Sequence, residues 1–410
     1  MSIRFALGLC AFVSAAGCGL VQPSLDTIAE GYVRAALKLS QHDPSLVDQW
    51  RGPESWNPGP RRPVAELQRE IEDLHQQIEL KASDISSSRE YARAHYLRGQ
   101  IRALRYAAGR QLGRAASIDE QAHDEFGAAF PAFDKEAITR VHQQLQRELQ
   151  GTGALADRVA ALRRATTMPR ERRLAVLIKA MEACKQATPP DTGLPGDERI
   201  EIVFQPGMTF DAFARYQGQH RTDIEINDDS ELDMSRAIRL ACHEGYPGHH
   251  VQNVLIDQLF TERRWHELLL TPGFGPHLLA TEGAAEAGAE LAMPAARRAA
   301  VYGELFPIAG LDPASIGPLV RVEELLVDLL PVVTDVARLY LASSITQEQA
   351  LERLAHQALV ANPQATLAFI EQRRARALVY GEGRRMVLAA LESRNLAALL
   401  KAFRRVAALQ

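Results

Sequence analysis

Residues 241–250 read Ala-Cys-His-Glu-Gly-Tyr-Pro-Gly-His-His, which gathers His243, Glu244, His249 and His250 into one short stretch of a chain with only 12 histidines. That concentration points to metal-assisted chemistry. In the HExxH pattern two imidazoles one helical turn apart grip zinc, while the intervening glutamate activates water. Here the fourth residue after His243 is Pro247, so the pattern is interrupted. On an unbroken helix His249 would project to a different side from His243, and His250 would share its side but lie roughly 10 Å further along. Neither could join His243 on an ion with bonds of about 2.0 to 2.1 Å. Pro247 has no backbone N–H and its ring clashes with the preceding turn, while Gly248 accepts dihedrals that other residues avoid. The pair predicts a bulge or bend that brings one of the next two histidines back toward His243. Geometry leaves open which one. The plain alternative is a helix that stops at Tyr246, with His249 and His250 in a solvated loop.

A second set of candidate groups lies downstream. Residues 275–294 read GPHLLATEGAAEAGAELAMP, a helix bounded by Gly-Pro and Pro whose small residues allow another helix to approach closely. Glu282 and Glu286 are four positions apart and share a face, and Glu290 continues the row. Zinc sites of this type often take a third ligand from a glutamate on a later helix and leave a fourth position for water. Glu282 fits that role by type and order. Glu286, one turn on, is placed to accept a hydrogen bond from a ligating imidazole. Alternatively, the two carboxylates form buried ion pairs with arginines such as Arg297 or Arg374.

The elements that must carry these groups are mostly helical. The chain is rich in helix-favouring residues, and at 410 residues it has ample length for a buried core. Residues 64–80, 90–112 and 137–149 show apolar residues at near-helical spacing. Pro and Gly clusters at 52–63 and 189–196 punctuate the run. Residues 200–205 and 223–227 alternate apolar and polar, as half-buried strands do, and flank a stretch at 207–220 read as containing a loop. The expected fold is therefore mainly α, with a small two-stranded β element beside the metal helix at 232–246. The second strand could offer backbone groups to an extended peptide or be a structural hairpin. Residues 321–342 form an apolar helix that Pro331 is expected to kink. Thr346 to Gln349 has capping-box form, and Asn362-Pro363 opens a helix running toward Tyr380. Residues 25–190 are expected to wall a cleft, and 191–410 to hold the metal site of the same domain.

Residues 1–24 differ from the rest: Arg4, an apolar run at 5–13 and small residues leading to Cys18 form an export signal. The order Ala-Ala-Gly-Cys resembles a lipobox, in which Cys18 is lipidated and becomes the mature N-terminus. Gly19 rather than Asp after it favours the outer membrane. An ordinary cleaved leader of a soluble periplasmic protein, or a retained apolar N-terminus, are the alternatives. Cys184 and Cys242 remain, and two lone cysteines do not make a disulfide framework; Cys242 is expected to be a small buried residue. A net charge of -4 gives no electrostatic case for a nucleic-acid partner.

At this point the residues carry a resemblance. HEGYPGHHVQ, the Glu-Gly-x-Ala at 282–285 and the tail around Tyr380 resemble the bacterial domain-of-unknown-function 885 family, related to gluzincin-type zinc metallopeptidases, whose elements are HExxPGHH and EGWAxYxE. The resemblance implies that His243, His249 and Glu282 bind Zn2+, with Glu286 supporting a ligand, and that Glu244 is the general base. It makes His250 an outer-sphere or substrate-contacting residue. The chain departs from the pattern where the Trp and Tyr become Ala284 and Ala287, where only Asp335 stands for an Asp and a later His, and where Tyr-Lys-x-Gly becomes Tyr380-Gly381-Glu382-Gly383. Tyr380, Tyr246, His250, Arg373 and Arg374 are candidates to stabilise an oxyanion. The expected function is an exported zinc-dependent peptidase acting on a peptide substrate. The alternatives are an amidase or deacylase acting on a non-peptide amide, and a binding or scaffold lipoprotein that keeps the fold.

Overall fold

Apolar residues recur at helical spacing through most of the chain. The computed structural model, which describes residues 23–403 except 84, 86, 87 and 209, turns these segments into a mainly α fold with two small sheets. The leader and Cys18 lie outside the described residues. In the helix Val64–Ser83 the buried side chains are Leu67, Ile71, Leu74 and Ile78, the stripe that its periodicity predicts. It packs with the helices Leu25–Ser40 and Ser88–Gln111 around Ile28, Tyr32, Leu97 and Ile101. Full burial of each such aliphatic side chain contributes about 1.5–3 kcal/mol. This layer is joined to the rest of the chain by Leu270 and Phe274, which enter its core. Arg93, buried between Asp26 and Glu267, adds a second tie.

The β structure corrects one expectation. Strands β1 (Val47–Trp50), β2 (Arg199–Gln205), β3 (Ala212–Gly218), β4 (Arg221–Asn227) and β5 (Leu270–Pro272) form a β1–β5 pair and a three-stranded sheet ordered β2-β4-β3. The stretch at 207–220 therefore holds a strand, β3, antiparallel to β4, while β2 runs parallel to β4. Alternation in β3 is partly hidden because Ala212 and Ala214 carry little hydrophobic signal. Tyr216 and Ala214 are nevertheless its buried residues. Since β4 is the central strand, β2 and β3 are the two edges of the sheet.

Local signals in the last third behave as expected, apart from Pro331 and the end of the helix that Asn362 caps. Thr346 and Gln349 make the reciprocal capping box, and the Asn362 side chain accepts from the Ala365 N–H ahead of the helix Pro363–Arg373. Pro331 does not kink one long helix. It sits in the first turn of Leu330–Leu341, after a separate helix Ile316–Val327, where its missing N–H would have had no helical partner anyway. The helix through Phe369 also stops early, at Arg373; Arg374 takes a positive φ of 52° and a 3-10 turn leads into Val379–Ala390.

The small residues of Gly275–Ala292 do admit a close neighbour. A Cβ added to Gly283 would stand 2.3–2.6 Å from backbone atoms of Gly383 on Val379–Ala390, and backbone cannot rotate away. Gly283→Ala is therefore expected to separate these helices and to cost at least about 2 kcal/mol in urea unfolding. An unchanged unfolding midpoint would contradict the contact.

Candidate metal centre

The helix Met234–Leu240 begins at Asp233, whose side chain accepts from the Arg236 N–H, and passes without a break into a π turn at Ala241–Gly245. The Tyr246–Pro247 bond is cis, and the chain restarts as the helix His249–Arg263. Between them the Gly248 N–H donates to the Cys242 carbonyl at 3.0 Å. A Cβ on Gly248 would lie 1.7 Å from the His243 carbonyl oxygen, so only glycine permits this close return of the chain. Wide π turns of this kind are frequent at functional sites.

The return brings His249 to His243, with ring centroids 4.7 Å apart. Glu282 comes up from the packed helix Gly275–Ala292: its Oε2 is 3.2 Å from His243 Nε2 and its Oε1 is 3.4 Å from His249 Nε2. The three potential ligand atoms all lie within 4.8 Å of one another. Atoms bound at about 2.0 to 2.1 Å around a tetrahedral ion lie roughly 3.3 Å apart, and each imidazole stands at about that spacing from one Glu282 oxygen, His243 from Oε2 and His249 from Oε1. Apart from this ion-pair approach to His243, Glu282 Oε2 is buried without a hydrogen-bond partner among the described residues.

Neighbouring groups set the orientation of both imidazoles. Gln252 donates its Nε2 to the Thr281 carbonyl at 3.0 Å, which leaves its Oε1 to accept from His249 Nδ1 at 3.2 Å. His249 Nδ1 then donates to Gln252, and the same contact turns Nε2 toward Glu282. Sequence reasoning passed over Gln252, although its position three residues after His249 on a new helix is the signal that could have found it. His243 Nδ1 lies 3.1 Å from Glu286 Oε1, and Arg239 holds Glu286 through contacts of 2.5–3.2 Å. Glu286 thus stands where a supporting carboxylate would. Its ion-pair partner is Arg239, not Arg297 or Arg374, which donate to the carbonyls of Ala292 and Ala116.

The electrostatics favour a positive charge between these groups. Burial alone would lower the His243 imidazole, but Glu286 and Glu282 outweigh it and raise it to about 10. Burial would raise Glu282, yet His249 and His243 bring it down to about 2. A cation and the imidazole proton compete for the same place, so zinc affinity is expected to be higher at about pH 8 than at about pH 6. Zinc titrations at the two pH values check the sign.

No family model matches the chain, and none of the curated proteins matches it. Among solved structures, the "putative lipoprotein" from Colwellia psychrerythraea aligns with 84% of this chain and 68% of its own at 14% identity and a TM-score of 0.49. A second, from Shewanella oneidensis and described as a "putative lipoprotein of unknown function", aligns with 84% and 71% at 13% identity and a TM-score of 0.45. Likeness at this level carries no argument about activity.

The other candidates divide between cleft and core. Glu244 lines a cleft of about 1390 Å³ together with His243, His249, Glu282 and Tyr380. It is 5% exposed, one carboxylate oxygen has no partner among the described residues, and burial holds its pKa above the ordinary carboxylate value. The Tyr380 ring is 6.2 Å from that of His243; burial, then Glu282 and Glu244, keep its phenol protonated far above neutral pH. His277, five residues before Glu282 on the same helix, also lines the cleft and was not anticipated; its imidazole is lowered to about 4 by burial, then by His249. His250 is corrected from a site residue to a core residue. It is fully buried behind the turn, its Nδ1 is 2.7 Å from Thr222 Oγ1 and its ring meets Tyr246 edge-on. Tyr246 is buried with it, and Arg374 does not line the cleft either.

The cysteines are the second correction. Cys184, on the helix Arg173–Ala187, and Cys242 form a disulfide across 58 residues, next to His243. In the chain-entropy picture, closing a loop of that length contributes about 4 kcal/mol. It also ties the π turn to a neighbouring helix.

Proposed function

We propose that the chain is a zinc-dependent peptidase. The observation that carries this reading is the His243, His249 and Glu282 triple at the wall of a large cleft, with a second carboxylate, Glu244, lining the same cleft outside the triple. The motif likeness to the domain-of-unknown-function 885 family supports the same reading. In it His243, His249 and Glu282 hold the metal, Gln252 and Glu286 orient the two imidazoles, and Arg239 fixes Glu286. Bound there, zinc would polarise a substrate carbonyl and make water a better nucleophile at neutral pH.

Glu244 takes a proton from the attacking water through its unpartnered oxygen and passes it to the departing nitrogen as the C–N bond breaks. Its raised pKa suits a group that must both accept and return a proton. Tyr380, held protonated, donates a hydrogen bond to the carbonyl oxygen as negative charge builds there. The edge strand β3, with the two residues before it, lines the cleft from Phe210 to Arg215, which suits an extended peptide lying alongside it. Export fits residues 1–24, with Cys18 as the lipid anchor. No helix among the described residues is long and apolar enough to cross a membrane.

The test is metal stoichiometry with hydrolysis. The purified chain is expected to bind about one zinc and to cleave members of a randomised peptide library, to lose cleavage when the metal is chelated, and to regain it on zinc addition. Failure to bind zinc stoichiometrically would overturn the reading. Cleavage of non-peptide amides alone would replace peptidase with amidase.

A further inference from the structure

Most arginines that line the cleft already have a carboxylate. Arg239, Arg298, Arg376 and Arg384 are ion-paired with Glu286, Glu323, Glu125 and Glu290. The remainder are likewise paired, bonded to a backbone carbonyl, or exposed at the rim, with one exception. Arg373 is half-buried, makes no ion pair or hydrogen bond with any described residue, and has a buried Nε without a partner. A guanidinium in that state is expensive to maintain unless something else satisfies it.

Its position says what that something meets. Arg373 ends the helix Pro363–Arg373, and the turn that follows leads directly to Tyr380 beside His243. Asp48 on β1 lines the same cleft and forms no ion pair with Arg373. Phe369, one turn before Arg373, has its ring 6.4 Å from that of Tyr380, so the helix that Arg373 ends packs beside the metal triple and the guanidinium lines the same cleft. Planar and always charged, it matches a carboxylate in a two-pronged hydrogen bond.

We infer that Arg373 anchors the terminal carboxylate of a peptide, so that the substrate class is peptides with a free C-terminus, cleaved near that end. The inference rests on the peptidase reading for the identity of the ligand. Arg373 is a specificity-determining residue here: it takes no part in the proton transfers of Glu244.

The experiment separates binding from turnover. Randomised N-acetyl pentapeptides are prepared as free acids, as C-terminal amides, and as C-terminal amides containing one glutamate. Each pool is equilibrated with zinc-loaded Glu244→Gln chain, with and without Arg373→Ala, and the retained fraction is read by mass spectrometry. Free acids are expected to be retained about ten- to a hundredfold over plain amides, and Arg373→Ala to erase the difference. Arg373→Lys, which keeps the charge but not the fork, should be intermediate and serves if the alanine variant does not fold. Equal retention of acids and amides, no retention of any pool, or an unchanged preference in Arg373→Ala overturns the anchor. Glutamyl amides retained as well as the acids would overturn the terminal assignment in favour of an acidic side chain. Hydrolysis by the wild-type chain is scored separately: acid preference without hydrolysis removes the peptidase reading alone, and hydrolysis without acid preference removes the anchor alone.

Discussion

Glu244→Gln is expected to lower peptide turnover by at least about a hundredfold while zinc stays at about one per chain. The substitution keeps the shape and volume of the side chain and removes only its capacity to accept and return a proton. Zinc content should not change, because the ligand atoms belong to His243, His249 and Glu282. Folding should not suffer either: Glu244 is buried, its charge is disfavoured by burial, and a neutral amide avoids that cost. Steady-state kinetics on a cleaved library peptide, with zinc measured on the same preparation, give both numbers. Turnover equal to wild type would remove Glu244 as the base.

Replacing each of the adjacent histidines should give opposite phenotypes. His249→Ala is expected to weaken zinc binding by more than about a hundredfold, beyond the 10–100-fold loss usual when only a group supporting a ligand is removed. Its fold should persist, since the imidazole faces the cleft and the turn is shaped by Gly248 and Pro247. His250→Ala should keep zinc and lose about 2–4 kcal/mol of stability, as other large-to-small core substitutions do. Its ring is fully buried against Tyr246 and Thr222. Competition titrations against a chelator and urea unfolding separate the two effects. The reverse pattern, with zinc lost in His250→Ala, would reassign the ligand.

Much of the fold was legible because its signals are local. Helical periodicity in residues 64–80, the Thr346 capping box and the Asn362 cap each act within a few residues of chain, so neighbouring sequence is enough to reveal them. Pro331 was also visible, but whether it kinks a helix or starts one depends on where the preceding helix ends. Strand β3 was hidden because small Ala212 and Ala214 blur its alternation and its partner β4 comes later in the chain. The Cys184–Cys242 bond escaped for a similar reason, since nothing within 58 residues of intervening sequence announces that two helices meet.

For the site, sequence alone determined the donor types, the interruption by Pro247 and Gly248, and the order of Glu282 and Glu286 on one face. Tertiary structure decided the rest. It turned His249 toward Glu282 and His250 into the core, gave Glu286 to Arg239, placed Gln252 behind His249 and left Arg373 without a partner. The physical reason is range: a cap or a periodic stripe is settled by contacts three or four residues apart. Which of two adjacent histidines faces a ligand depends on a π turn and on a helix arriving from about forty residues away.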